Sequence, residues 1–208
     1  MNDLSKLIQG TEEWLAARCG SLGASELHIA LAKGVGPVNL RRRLGCERLT
    51  GKPIPTYQSA DMLTGKDREP EAREAYCWEK GVDVEEVGII VHPRIKWTHC
   101  SPDGLVPPDG IVELKCPRAE THYDSLRGAG PEGRYLLQCC WLMACSGRQW
   151  VDLCSYHPDF EPDQRLLITR MWRDDAAIVA AEKLVEEFLA GVETDLADIG
   201  DRYQRAAA

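Results

Sequence analysis

Through the first eighty residues, apolar positions recur at intervals of three and four, the spacing of amphipathic helices. Thr11 can cap a helix through "EEWLAAR" that Gly20 stops, and Ser25 can cap a second through "ELHIALAKG" that Gly34 ends. "NLRRRLGCERLTG" reads as a third helix, broken by Pro53 and Pro55. A fourth is expected to follow Glu69-Pro70, because proline suits a first helical turn, and to run through "EAREAYCWEKG" to Gly81. From Val82 the period becomes that of strands: "VDVEEVGIIVHP", "KWTHCSPDGLV", "GIVELKCP", "WVDLCSYHP" and "RLLITRMW", with turn residues between them. Between the third and fourth strands, "GRYLLQCCWLMACSG" is apolar and of helical length, and an amphipathic helix is expected from Asp174 to about Ile199. The pattern is α/β with a sheet in the middle, and 208 residues suffice for one well-cored domain over 1–208.

The chemistry is concentrated in "SPDGLVPPDGIVELKCP". A strand's period of two puts Ile111, Glu113 and Lys115 on one face and Val112, Leu114 and Cys116 on the other. Pro107-Pro108-Asp109-Gly110 has the composition of a turn, so Asp109 makes the bend. The bend folds Asp103 back along the strand of Glu113, where two carboxylates can share one oxygen-loving cation. Mg2+ suits such a site, taking the carboxylates, the backbone carbonyl of Leu114 and waters, with room for a phosphate oxygen. Lys115 would orient or deprotonate the attacking water and offset charge building on the phosphate. Glu113 and Lys115 alone would read as a solvated pair on a strand; Asp103 turns the pair into a site.

A net charge of −8 argues against a surface that binds polyanions everywhere. A nucleic acid would have to meet a metal-loaded site or a local basic patch such as Arg41-Arg42-Arg43, which reads equally well as a solvated helix face. The N-terminus has no apolar signal region and no run of about 18 apolar residues occurs, so the expectation is a soluble, cytoplasmic protein with no membrane partner. Nine cysteines without a Cys-x-x-Cys pair argue against zinc, and Cys139, Cys140, Cys145 and Cys154 lack the spacing of an iron–sulfur cluster. Reduced, mostly buried thiols are expected.

Asp103 followed by Glu113-Leu114-Lys115 resembles the PD-(D/E)xK nuclease motif, and "SPDGL…ELKCP" is similar to the YqaJ-type viral recombinase, or lambda exonuclease, family. "EEWLAARCGSLGASE" resembles that family's Trp-x-x-x-Arg-x-Gly followed by Ser, "GKDREPEAR" its Gly-x-x-x-Glu-Pro-x-Ala-Arg, and "RYLLQCCWLMACSGRQWVDLCSYHP" its Tyr-x-x-Gln helix and following strand. The resemblance implies a restriction-endonuclease-like core, a central mixed β-sheet flanked by helices. It further implies a Mg2+-dependent exonuclease, with Mn2+ as a substitute, that degrades one strand of linear double-stranded DNA from its 5′ end. The 3′ overhangs left behind would serve recombination with a phage single-strand-annealing protein. A homotrimer ring and a phage- or prophage-encoded protein in a bacterial cytoplasm are implied too.

By matching position, Asp103 and Glu113 would be metal ligands, Lys115 the water-activating base and Glu69 an accessory carboxylate, although Glu69 before Pro70 also reads as a helix-entry residue. Arg18, Ser25 and Gln138 match residues that bind the terminal phosphate. Cys140 stands where the family carries a second glutamine, a departure that would leave the phosphate pocket one amide donor short. Two other readings are a nicking or double-strand endonuclease on the same fold and a non-catalytic DNA-end-binding module.

Overall fold

A computed structural model describes residues 3–207; Met1, Asn2 and Ala208, at the ends of the domain expected from sequence, lie outside the described residues. The helices are α1 (Glu12–Ala17), α2 (Leu27–Ala30), α3 (Val35–Thr50), α4 (Ala60–Lys80), α5 (Ala119–Leu126), α6 (Gly133–Ser146) and α7 (Asp175–Ala207). The strands are β1 (Leu22–Gly23), β2 (Ile90–Val91), β3 (Thr98–Cys100), β4 (Gly104–Val106), β5 (Gly110–Lys115), β6 (Trp150–Tyr156) and β7 (Leu166–Trp172). They form two mixed sheets rather than one: β4-β5-β6-β7, in which β5 and β6 run parallel, and a small β1-β3-β2 sheet in which β1 and β3 run parallel.

The larger sheet is covered on both faces, and strand alternation assigns each residue to one of them. Ile111, Val151 and Leu153 pack with the buried residues of α6, among them Trp141 and Leu142, and with Ile178, Ala181, Val185, Phe188, Leu189 and Val192 of α7. The three- and four-residue spacing on α7 is what turns one stripe of a long helix inward. Val112, Leu114, Cys154 and Tyr156 face the other way and pack with Ala72 and Tyr76 of α4. Crossing from parallel β5 to β6 requires a long connection, and α5 and α6 supply it.

Sequence patterning missed several elements. Helix α4 begins at Ala60, ten residues before the expected start, with the Ser59 hydroxyl accepting from Met62 N at 3.2 Å and Pro70 inside the helix. The proline looked like a helix start because that is its least costly place; here the helix continues through it. Helix α3 likewise starts at Val35 rather than Asn39. Ser25 caps nothing: it lies inside a 3-10 turn, Ala24–Glu26, that leads into α2 without a side-chain cap. Helix α5 and strand β1 were not expected, and "VDVEEVGIIVHP" contributes only β2 and a single bridge from Glu85 to Leu105. Helix α7 continues to Ala207, beyond Ile199.

The thiols are less uniformly internal than expected: Cys100, Cys139, Cys145 and Cys154 are buried, Cys19, Cys77, Cys116 and Cys140 are partly buried, and Cys46 is exposed. Among the described residues no helix is long and apolar enough to cross a membrane.

Candidate active site

The hairpin of β4 and β5 builds the centre of the site. Gly104 pairs with Val112 and Val106 with Gly110, which brings Asp103, the residue before β4, alongside Glu113. One guanidinium fastens the tip of the hairpin: Arg148 Nη1 donates to the carbonyls of Val106 at 3.0 Å, Pro108 at 3.1 Å and Gly110 at 2.9 Å. Asp109 sits exposed in that turn, its carbonyl accepting from Gln149 N at 2.8 Å, as its turn chemistry predicts. Gly110 is glycine because the Trp150 ring passes over it; an added Cβ would lie 2.0 Å from a ring carbon.

The backbone N–H of Leu114 donates to Asp103 Oδ2 at 2.7 Å, and Arg73 Nε donates to the Asp103 carbonyl at 3.3 Å, so Asp103 is held at both its side chain and its backbone. Glu113 is nearly inaccessible. Its Oε1 accepts from Lys115 Nζ at 2.6 Å and from Gln138 Nε2 at 2.6 Å, whereas its Oε2 is buried without a hydrogen-bond partner. Two donors on one oxygen fix the rotation of the carboxylate and aim the other oxygen.

The electrostatics agree with a crowded acidic site. Burial first, then repulsion from Asp103, pushes Glu113 up to about 8 against the pull of Lys115. Burial and then Asp103 push Glu69 up to about 7, so α4 does bring Glu69 within reach of the other two carboxylates. Burial also raises Asp103, opposed by Lys115 and the Leu114 N–H. Burial works against the Lys115 ammonium, but Glu113 and Asp103 outweigh it and hold the group above the ordinary lysine value. In this state Lys115 is a donor and a positive charge.

Among the described residues no three His, Cys, Asp or Glu side chains form a ready cation cage. Mg2+ does not require one, since it keeps several waters and takes only one or two carboxylates. The unpartnered Glu113 Oε2 and the mutual repulsion of three carboxylates fit a hard divalent ion held by Asp103, Glu113 and the Leu114 carbonyl.

A cleft of about 510 Å³ opens at Glu69, Leu114 and Lys115, lined also by Ser25, Lys66, Arg134 and Gln138 among others; Asp103 and Glu113 lie behind these residues and do not line it. Ser25 and Gln138 are therefore brought to the reactive groups. Arg18 lines a separate hollow of about 340 Å³ together with Glu26, Arg43 and Glu47. There Arg18 lies over Trp14, its CZ 4.0 Å from the ring centroid, and donates from Nε to His99 Nε2 at 2.8 Å. Its Nη2 would be 3.0 Å from a Cβ at Gly23, so glycine at that corner gives the guanidinium room to lie between the hollow and the chain leading to Ser25.

Burial and then Arg18 push His99 down to about 3. Neutral His99 with Nε2 accepting must carry its proton on Nδ1, where it meets Ser21 Oγ at 2.8 Å. Cys140 is not brought to the cleft: two residues past Gln138 on a helix is just over half a turn away, and its side chain packs against the main core. Of the three consecutive arginines, Arg43 pairs with Glu26 at 2.5 Å and Glu47 at 3.2 Å, Arg41 pairs with Asp195 at 3.0 Å, and Arg42 is exposed.

Residue-level reading missed His99, Ser21, Tyr135 and Arg73. Trp14, Arg18, Tyr135, Gln138 and Arg73 all lie in the quoted motifs, which could have flagged them; nothing in the sequence ties His99 to Arg18, 81 positions away.

A strand hairpin that sets two carboxylates and a lysine together is an arrangement that suits a nuclease. The chain belongs to the YqaJ-like viral recombinase domain family, whose model matches residues 13–149. Among solved structures it is similar to the alkaline exonuclease LHK-Exo from Laribacter hongkongensis, at 39% identity and a TM-score of 0.89 over 94% of this chain and 100% of that one. The same figures hold for LHK-Exo in complex with dAMP. A phage related exonuclease from Haemophilus somnus 129PT, at 12% identity, shares the fold, with a TM-score of 0.66 over 86% of this chain and 96% of that one. No curated protein matches the chain.

Proposed function

We propose that this DNA exonuclease acts as one nuclease domain over residues 1–208, on the ends of linear double-stranded DNA. It would degrade one strand in the 5′-to-3′ direction and leave 3′ single-stranded overhangs for a phage single-strand-annealing protein. The observation that carries the hydrolytic reading is the buried, unpartnered Oε2 of Glu113 beside Asp103 and Lys115, a polar atom whose burial is costly until a cation or substrate meets it. Mg2+, with Mn2+ as its substitute, would supply charge neutralisation and a lowered pKa for a bound water.

The chain's own groups do the rest. Asp103 and Glu113 hold the cation with the Leu114 carbonyl, and Glu69 adds an accessory carboxylate. Lys115, in its charged form, orients the attacking water and offsets charge on the phosphate, and it could serve as the water-activating base only after giving up its own proton. Arg18, Ser25 and Gln138 are the candidates for a terminal 5′-phosphate. Ser25 and Gln138 line the cleft, and Arg18, in its separate hollow, lies against Gly23, two residues before Ser25. A homotrimer ring around the duplex and a bacterial cytoplasmic setting belong to the same reading.

Linear duplexes labelled at the 5′ or the 3′ end, digested with Mg2+ or with EDTA, test activity, polarity and metal dependence together. Early loss of a 5′ label as mononucleotide, only with Mg2+, is the expected result. Early loss of the 3′ label would reverse the polarity, and cutting of a covalently closed circle would make the enzyme an endonuclease.

A further inference from the structure

Buried His99 takes no part in the proposed hydrolysis. Its place follows from the small sheet, where β1 and β3 run parallel with Leu22 opposite Thr98 and Gly23 opposite His99. Thr98 Oγ1 accepts from Trp141 Nε1 at 3.0 Å and Cys100 belongs to the main core, so alternation turns His99 to the other face, toward the end of α1 and the turn after it. Both ring nitrogens find partners there. A guanidinium only donates, so Nε2 accepts from Arg18 Nε, and the neutral ring then donates from Nδ1 to Ser21 Oγ, each at 2.8 Å.

The contact fixes Arg18 without neutralising it. The Trp14 ring covers one face of the guanidinium and His99 holds its Nε edge, so both the plane and the rotation of the group are set. The nearby carboxylates are engaged elsewhere: Glu26 Oε1 and Glu47 Oε1 pair with Arg43, and Glu47 Oε2 accepts from Gly20 N at 2.8 Å. Among the described residues Arg18 makes no ion pair, and its Nη1 and Nη2 meet no hydrogen-bond acceptor. A carboxylate in the place of His99 would cancel the charge in an internal pair; a neutral imidazole orients the group and leaves the charge to an incoming anion. Burial, and then the Arg18 charge, hold His99 down at about 3, so the acceptor persists through the neutral and mildly acid range.

We propose that His99 is the positioning residue behind a preference for 5′-phosphate ends, holding the charged Arg18 guanidinium with its two Nη groups left for the phosphate oxygens. The inference rests on the proposed assignment of Arg18 to the terminal phosphate. Two Nη groups side by side match two oxygens of a phosphate, and a 5′-hydroxyl end offers no such pair. His99 itself touches no substrate and acts only through Arg18.

The test is equilibrium binding of two matched linear duplexes, one with a 5′-phosphate end and one with a 5′-hydroxyl, to the full chain in EDTA, where the proposed cleavage cannot run. The wild type should bind the phosphorylated duplex at least about tenfold more tightly, and Arg18→Ala should bring that ratio close to one. His99→Leu, which removes the acceptor, should lower the ratio at least about threefold, whereas His99→Gln, whose side-chain oxygen can accept from Arg18, should stay within about twofold of the wild type. If His99→Leu does not fold, Ser21→Ala, which keeps the ring but removes the partner of Nδ1 and so frees the tautomer, should lower the ratio at least about twofold. If Arg18→Ala loses the preference but a folded His99→Leu or Ser21→Ala keeps it, or if His99→Gln is as impaired as His99→Leu, the inference is overturned and Arg18 stays at the phosphate. A wild-type ratio near one, or a ratio that Arg18→Ala leaves intact, rejects the phosphate assignment and the inference with it.

Discussion

Two buried carboxylates sit on neighbouring strands of one sheet and face opposite ways. Asp152 of β6 turns toward α4. It accepts from Tyr76 OH at 2.7 Å and, through both oxygens, from Arg170 Nε at 2.7 Å and Nη2 at 2.8 Å. Arg170 is in turn stacked on Trp150, 3.7 Å from the ring centroid. Glu113 of β5 turns toward α6, with both of its donors on one oxygen and none on the other. The desolvation cost is similar in kind and the compensation is not. A carboxylate whose oxygens are both satisfied is part of the framework, and one with a buried oxygen that no protein group meets is the one the proposed reading assigns to a cation.

The contrast should be widest in activity. Glu113→Gln and Asp103→Asn each remove a charge from the proposed metal shell with little change of shape. Initial rates on linear duplex should fall by at least about 10²-fold, while the metal-free urea midpoint stays level or rises. Near wild-type rates in both variants would remove the site assignment. Asp152→Ala should show the opposite profile, because it strands a buried phenol and part of a guanidinium. A loss of about 2–3 kcal/mol in urea unfolding is expected, with turnover per folded molecule close to wild type.

Metal should divide the two carboxylates as well. At ten times its dissociation constant, Mg2+ should stabilise the wild type by about 1.4 kcal/mol, read as a rise in melting temperature that Asp152→Ala retains and Glu113→Gln loses. Equal shifts in both variants would place the ion elsewhere. The smallest effect is Tyr76→Phe, which removes one of the donors on Asp152 and should cost about 1 kcal/mol without altering the Mg2+ dependence of cleavage. A changed metal requirement would mean that the opposite faces of the sheet are coupled.

The same two strands show why some of this was legible in sequence. Alternation along "GIVELK" and turn chemistry at Asp109 place Asp103 beside Glu113 and Lys115 without any knowledge of tertiary contacts. Alternation also opposes Asp152 to its neighbours on β6, but its partners Tyr76 and Arg170 lie 76 and 18 positions away, and no local pattern joins them. Pro70 concealed the first half of α4, and with it the turns that carry Asp61, Lys66 and Glu69 to the cleft. Strands β1 and β2 have two residues each, too few to show a period. Helix propensity could not tell that Cys140 would face the core while Gln138 faces the cleft; the 200° between them settles it only once the helix is docked.

The fork of Arg148 on three carbonyls of the β4–β5 turn bears on how this chain can vary over generations. The turn between Val106 and Gly110 acts as a ruler: its residue count, more than its residue types, decides which side chain stands beside Glu113. A substitution at Asp109, whose side chain is exposed and uninvolved, should be inherited without penalty. An inserted residue at the same place slips the register by one, swings Asp103 to the wrong face and unseats the fork. A library of turn variants selected for digestion of linear duplex should therefore keep a constant length while its letters drift.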